Sequence, residues 1–162
     1  MNYKTELANI NDIDSIIRLY SERMKWFKDN NIKQWSKYLN NHPKSEFEKA
    51  INNGNYYIVK QNDEIVAGFE LSTNSKDWND DTTPAYYIYK VVTKVGYKNL
   101  GKFIFAKCKE IAKLDGKKYL RLDCLKSNKK LNNIYKSHNF QLVKYGENNR
   151  YSYSLRELKI DE

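Results

Sequence analysis

Only two cysteines, Cys108 and Cys124, occur in 162 residues, and no Cys-x-x-Cys spacing joins them. With His42 and His138 the only histidines, the chain lacks the donor set of a metal site, and both thiols read as reduced core residues. No apolar run approaches the roughly 20 residues that a membrane-spanning helix needs. The opening MNYKTELANIND has no continuous apolar stretch of the kind a signal peptide carries, so a cytoplasmic location without membrane attachment is expected. Two prolines and six glycines leave no linker, internal repeat or low-complexity tract. One domain over residues 1–162 is the expectation.

What the chain has in quantity is tyrosine, lysine and asparagine. Hydrophobic residues make up 40% and aromatics 14%, so the mean hydropathy of -0.87 reflects Lys and Asn rather than disorder. The net charge of +9 is concentrated. Between Lys94 and Glu147 there are fourteen Lys or Arg against four Asp or Glu. That excess predicts an anionic partner, a nucleic acid or a small polyphosphate, against the plainer reading of a solvated lysine surface.

Ile13, Ile16, Ile17, Tyr20, Met24 and Phe27 recur at helical spacing behind Asn11 and Asp12, which predicts a helix over residues 12–29 after a short strand at 3–7. Ser45 and Glu48 have capping-box spacing for a second helix ending near Gly54. YYIVKQNDEIVAGFEL reads as a hairpin, SKDWNDDTTP as a loop and AYYIYKVV as a strand. Leu100, Phe103, Ile104, Cys108 and Ile111 mark the buried stripe of a third helix. In the strand after it, Leu120, Leu122 and Cys124 alternate against Arg121 and Asp123, giving an apolar inward face. A fourth helix, capped by Ser127 or Asn128 and turning Leu131, Ile134 and Tyr135 inward, precedes strands at 140–145 and 150–156. The order β-α-α-β-β-β-α-β-α-β-β is an α+β plan with a mixed sheet flanked by helices.

The run VGYKNLGKF, residues 95–103, joins a strand to a helix. A helix N-terminus presents unpaired N–H groups and the positive end of the macrodipole, so this setting forms an anion cradle. Gly96 and Gly101 let the main chain approach a ligand, with Lys98 and Lys102 at the rim. The run is neither a Walker loop nor Gly-x-Gly-x-x-Gly.

Together, YYIYKVVTKVGYKNLGKFIFAKCKEIAK and YLRLDCLKSNKKLNNIYKSHNFQLV resemble the acetyl-CoA-binding half of the GNAT N-acetyltransferases. In that family the turn follows Arg/Gln-x-x-Gly-x-Gly/Ala and wraps the pyrophosphate of coenzyme A. Here its six positions are Gly96, Tyr97, Lys98, Asn99, Leu100 and Gly101. Gly96 replaces the usual Arg or Gln, and Asn99 replaces a Gly. Asn is the non-glycine residue that best tolerates positive φ, at Asn99 and equally at Asn139, where the family commonly has Gly.

The resemblance implies the remaining roles. The fourth strand, Tyr89 to Thr93 including Val92, pairs with the pantetheine arm, and the N–H of Val91, near a strand bulge, faces the oxyanion. Asn128 and Tyr135 stand seven apart on one helical face. In the family this Asn contacts pantetheine and this Tyr protonates the departing sulfur, against the plain alternative of a capping Asn and a core Tyr. Glu70, with Tyr87 or Tyr89, could order a water that takes the amine proton. Gln34, Trp35 and His42 fall where the acceptor pocket is expected, with Tyr87 as a further substrate contact. The expected activity is transfer of an acetyl group from acetyl-CoA to a primary amine of a small molecule or peptide, with no metal. Homodimers are common among similar proteins. A coenzyme A-binding sensor and a nucleic-acid-binding module are the rivals; the second needs an exposed aromatic row that the tyrosine pattern does not supply.

Overall fold

A computed structural model describes residues 2–32, 38–78 and 82–161 of the protein. The strands are β1 Lys4–Leu7, β2 Tyr56–Gln61, β3 Glu64–Ser72, β4 Ala85–Thr93, β5 Tyr119–Leu125, β6 Gln141–Glu147 and β7 Ser152–Lys159. The helices are α1 Ile13–Asp29, α2 Tyr38–Asn41, α3 Lys44–Asn52, α4 Leu100–Leu114 and α5 Lys129–Ser137. All seven strands lie in one mixed sheet, ordered β1-β2-β3-β4-β5-β7-β6, and the protein is α+β. The element order is the expected one with a 3-10 turn at Ile10–Asp12 and the single-turn α2 added. β4 and β5 run parallel, registering Ala85–Tyr87 on Tyr119–Arg121. A parallel pair needs a crossover, and α4 supplies it.

The chain divides into two compact units, Met1–Leu71 with Lys90–Ile104, and Ser72–Tyr89 with Phe105–Glu162. In the first, Ile13, Ile16, Leu19 and Tyr20 of α1 pack with Phe47, Ala50 and Ile51 of α3, with Tyr56 and Ile58 of β2, and with Val92 of β4. The β2–β3 hairpin turns on Asn62 and Asp63 at φ 51° and 66°, the paired left-handed residues of a type I′ turn. The capping box expected at Ser45 and Glu48 does not form. Pro43, whose fixed φ of -69° suits the position, is the N-cap of α3, so the helix begins two residues early, at Lys44. The reciprocal cap lies ahead of α1, where the Asn9 N–H donates to the Asp12 carboxylate at 2.9 Å and the Asn9 side chain accepts from Asn11 at 2.9 Å.

In the second unit, Leu120, Leu122 and Cys124 of β5 are buried, as the alternation predicts, and so are Cys108 and Ala112 of α4, while Ile111, expected in the stripe, is half-buried. The opposite face of β5 is also covered. Trp78, Ala85, Tyr87, Tyr153 and Leu155 form a cluster there, and Arg121 is 4% exposed. α5 buries no residue fully, and Ile134, expected inward, is exposed. The helix ends in a Schellman motif: the Phe140 N–H donates to Tyr135 and the Asn139 N–H to Lys136, each at 3.0 Å, with Asn139 at φ 70°.

Candidate active site

After Thr93 the chain turns into α4 through Gly96 at φ 91° and Asn99 at φ 63°. Both are left-handed; glycine enters that region freely, and Asn more readily than other side chains. The Phe103 N–H makes the first helical bond, to the Asn99 carbonyl at 3.0 Å. Leu100, Gly101 and Lys102 therefore contribute the open first-turn N–H groups. A Cβ added at Gly96 or Gly101 would meet no atom within 4 Å, so internal packing does not demand glycine at either position. Close approach of a ligand to the main chain would. Lys98 and Lys102 are exposed beside these donors, and N–H groups with two ammonium ions fit a diphosphate.

Not every side chain in the turn is available. The Tyr97 hydroxyl donates to Glu64 at 3.2 Å, and Glu64 also pairs with Lys94; those partners hold its carboxyl below the ordinary range. Leu100 is buried, and Tyr3 donates to the Lys98 carbonyl at 2.9 Å. Tyr97 and Leu100 thus have their main chain to offer.

In the middle of β4, Lys90 has φ 50°, a conformation that β strands exclude. Its carbonyl accepts hydrogen bonds from the hydroxyls of Tyr20 and Tyr56, the second at 3.1 Å. Its ammonium lies 3.0 Å from Glu70 and 3.7 Å from Glu46, and Glu46 is 2.9 Å from Nδ1 of His42. Glu70 is therefore an ion-pair partner of Lys90 before it is anything else. Val91 follows the irregularity directly, and Val92 is buried. The Thr93 carbonyl accepts two bonds from Arg23, at 2.7 and 3.1 Å, and its hydroxyl a third at 3.0 Å.

In the second unit, the Asn128 side chain caps α5 by accepting the Leu131 N–H at 3.0 Å. Two turns later Tyr135 packs edge-on against Phe105 and Phe140, with ring centres 5.8 and 6.1 Å away. Loss of hydration, reinforced by the fields of Cys124 and Asp123, pushes its phenol well above the ordinary value. It holds its proton across the neutral range.

The same unit gathers residues whose role the alternation did not reveal. Arg121 donates to Glu157 at 2.9 Å and to the Tyr87 hydroxyl at 3.1 Å, and lies over the ring of Trp78. The Tyr87 hydroxyl is thereby an acceptor for the arginine. Tyr89 donates to the Ser75 hydroxyl, which also accepts the Asp77 N–H at 3.3 Å. Burial, with the negative charge of Asp77, pushes the Asp123 carboxyl up to about 6. A charged pair alternating with leucines on β5 was the one available signal. Gln34 and Trp35 lie outside the described residues.

Burial drives the Cys108 thiol far above its usual value and Cys124 to about 11, so neither is a ready nucleophile. Among the described residues no group of three or more His, Cys, Asp or Glu could hold a metal, and no helix is long and apolar enough to cross a membrane.

This combination of sheet, turn and capped helix matches known proteins. The model of the acetyltransferase (GNAT) family matches residues 16–140, and the protein belongs to that family. A GNAT-family acetyltransferase from Listeria monocytogenes 4b F2365 shares 21% identity with a TM-score of 0.81, over 97% of this chain and 94% of that one. The PaiA N-acetyltransferase of Thermoplasma acidophilum, solved with coenzyme A, shares 16% identity at a TM-score of 0.71, over 98% and 99%. The ribosomal-protein-S18-alanine N-acetyltransferase of Escherichia coli shares 13% at 0.66, over 99% and 96%. Comparison with curated proteins gave no significant match. The fold is that of acetyltransferases, an acyl-transfer class.

Proposed function

We propose that the protein transfers the acetyl group of acetyl-CoA directly to a primary amine, as one domain working in the cytoplasm. The observation that carries this reading is the turn into α4: left-handed Gly96 and Asn99, open N–H groups on Leu100, Gly101 and Lys102, and exposed Lys98 and Lys102. Residues 96–102 hold the pyrophosphate, mainly through their main chain. Tyr89, Val91, Val92 and Thr93 of β4 and Asn128 of α5 hold the pantetheine arm. Bound acetyl-CoA supplies an acetyl thioester.

Three steps fall to the chain's own groups. The Val91 N–H donates to the thioester carbonyl oxygen, where negative charge develops. The Tyr135 hydroxyl gives its proton to the departing sulfur: burial keeps the phenol protonated at neutral pH, so the proton is at hand when the thiolate forms. A lysine-like amine costs about 4.6 kcal/mol to deprotonate at pH 7, so a proton acceptor helps. Asp123, with its carboxyl raised to about 6 by burial, suits that role better than Glu70, which faces Lys90. Gln34, Trp35 and Tyr87 remain candidates for holding the acceptor, a small-molecule or peptide amine.

A panel of amines assayed for acetyl-CoA-dependent thiol release tests the reading, with Tyr135→Phe as control. Turnover on at least one amine is expected, falling roughly 100-fold or more in the variant with coenzyme A affinity unchanged. Coenzyme A binding with no turnover on any amine would favour a sensor instead.

A further inference from the structure

The irregularity at Lys90 has an unusual support. A lysine at φ 50° costs on the order of 1 kcal/mol or more, and such a residue persists only where its surroundings over-determine it. Here the carbonyl takes two phenolic hydrogen bonds and the ammonium lies between two carboxylates. Tyr20 and Tyr56 are both 0% exposed, approach from different elements, and pack through Phe47, which meets their rings edge-on at 5.1 and 5.9 Å. Nor is the reach of Tyr56 incidental. A Cβ on Gly68 would lie 2.6 Å from its hydroxyl oxygen and 2.8 Å from Cε1, so the glycine keeps the path to Lys90 open.

The carbonyl of Lys90 and the N–H of Val91 belong to one peptide unit. That unit is trans and planar, so the two groups point in opposite directions. Fixing the oxygen on two phenols fixes the hydrogen on the far side. Just past the end of the strand, Lys94 donates its N–H to Val66 of β3 at 2.7 Å, and strand alternation turns the Val91 N–H to the other edge. Two donors on a carbonyl also draw electron density from the nitrogen, making its N–H a stronger donor.

We infer that Tyr20 and Tyr56 are positioning residues for acetyl transfer: by clamping the Lys90 carbonyl they aim the Val91 N–H and strengthen it as the oxyanion donor. The inference rests on the function proposed above, in which that N–H faces the thioester oxygen. The phenols touch no substrate and exchange no proton. Their contribution passes through one peptide group.

The test pairs a measurement on the ligand-free protein with kinetics, using Tyr20→Phe, Tyr56→Phe and Gly68→Ala in the full chain. In NMR spectra the Lys90 carbonyl carbon and Val91 amide proton are expected to move upfield in each variant, as their hydrogen bonding weakens, with the spectrum elsewhere retained. In kinetics kcat is expected to fall roughly tenfold per phenol removed, with KM and coenzyme A affinity held within about twofold. Gly68→Ala displaces the Tyr56 hydroxyl without deleting it, and is expected to follow Tyr56→Phe in both readouts. Unmoved Lys90 and Val91 signals overturn the clamp. Moved signals with unchanged kcat overturn its part in transfer. Absence of coenzyme A binding in the parent defeats the proposed function instead, and the NMR comparison still decides whether the clamp exists.

Discussion

The guanidinium carbon of Arg121 lies 4.5 Å from the centre of the Trp78 ring. Its charge is met by Glu157, 2.9 Å away, and its Nη1 donates to the Tyr87 hydroxyl. The arginine side chain is 4% exposed and the glutamate 23%, so this pair is drawn largely out of water. Glu157→Gln leaves the cation buried without its counter-charge and is expected to cost about 3 kcal/mol. Urea denaturation at pH 7 measures this. A loss below about 0.5 kcal/mol would show that Trp78 and Tyr87 suffice.

Asp123 gives a pH signature. Its carboxyl rises from 3.8 to about 6 on folding, so the unfolded chain gives up the proton first. The neutral form suits the fold. Stability from this group is fully present below pH 3.8 and declines as pH rises through 6, by up to roughly 3 kcal/mol. Asp123→Asn is expected to raise the melting temperature at pH 8 while its advantage over the parent vanishes near pH 4. Parallel melting curves at both pH values would contradict the assignment. If Asp123 also accepts the amine proton, the same variant loses turnover at pH 7 despite its greater stability.

Asn99 separates conformation from side-chain chemistry. At φ 63°, Asn99→Gly should be tolerated, whereas Asn99→Ala pays for a left-handed alanine, about 1 kcal/mol. Coenzyme A affinity is expected to be kept by Gly and reduced several-fold by Ala. Equal affinity in both variants would mean that the turn does not shape the binding site.

Asn99 and Asn139 were legible because they stand where a turn demands positive φ and belong to the residue type that best accepts it. The α1 stripe through Ile13, Ile16 and Tyr20 and the β2–β3 hairpin were legible from periodicity and turn chemistry for the same local reasons, whereas Ile134 of α5 was not. Lys90 was not. Nothing in AYYIYKVV marks one lysine as left-handed, because its support comes from Tyr20 and Tyr56, which lie 70 and 34 residues away. The burial of Arg121 was hidden for a similar reason: its cover comes from Trp78, in a segment that looked like plain loop, and its counter-charge from Glu157 of β7. The Ser45 capping box was overridden by Pro43, whose ring fixes the helix start. Ligand-binding backbone is local and visible in sequence, whereas clamps and buried charges are built from distant partners.

The claim on which the rest depends is that main-chain donors at the start of α4 grip a diphosphate, and calorimetry tests it most directly. Coenzyme A, and pantetheine lacking the pyrophosphate, are titrated into the protein in parallel. Binding of coenzyme A with measurable heat, and at least about 100-fold weaker binding of pantetheine, is the predicted result. Equal affinity for the two ligands, or no heat from either, would contradict the account.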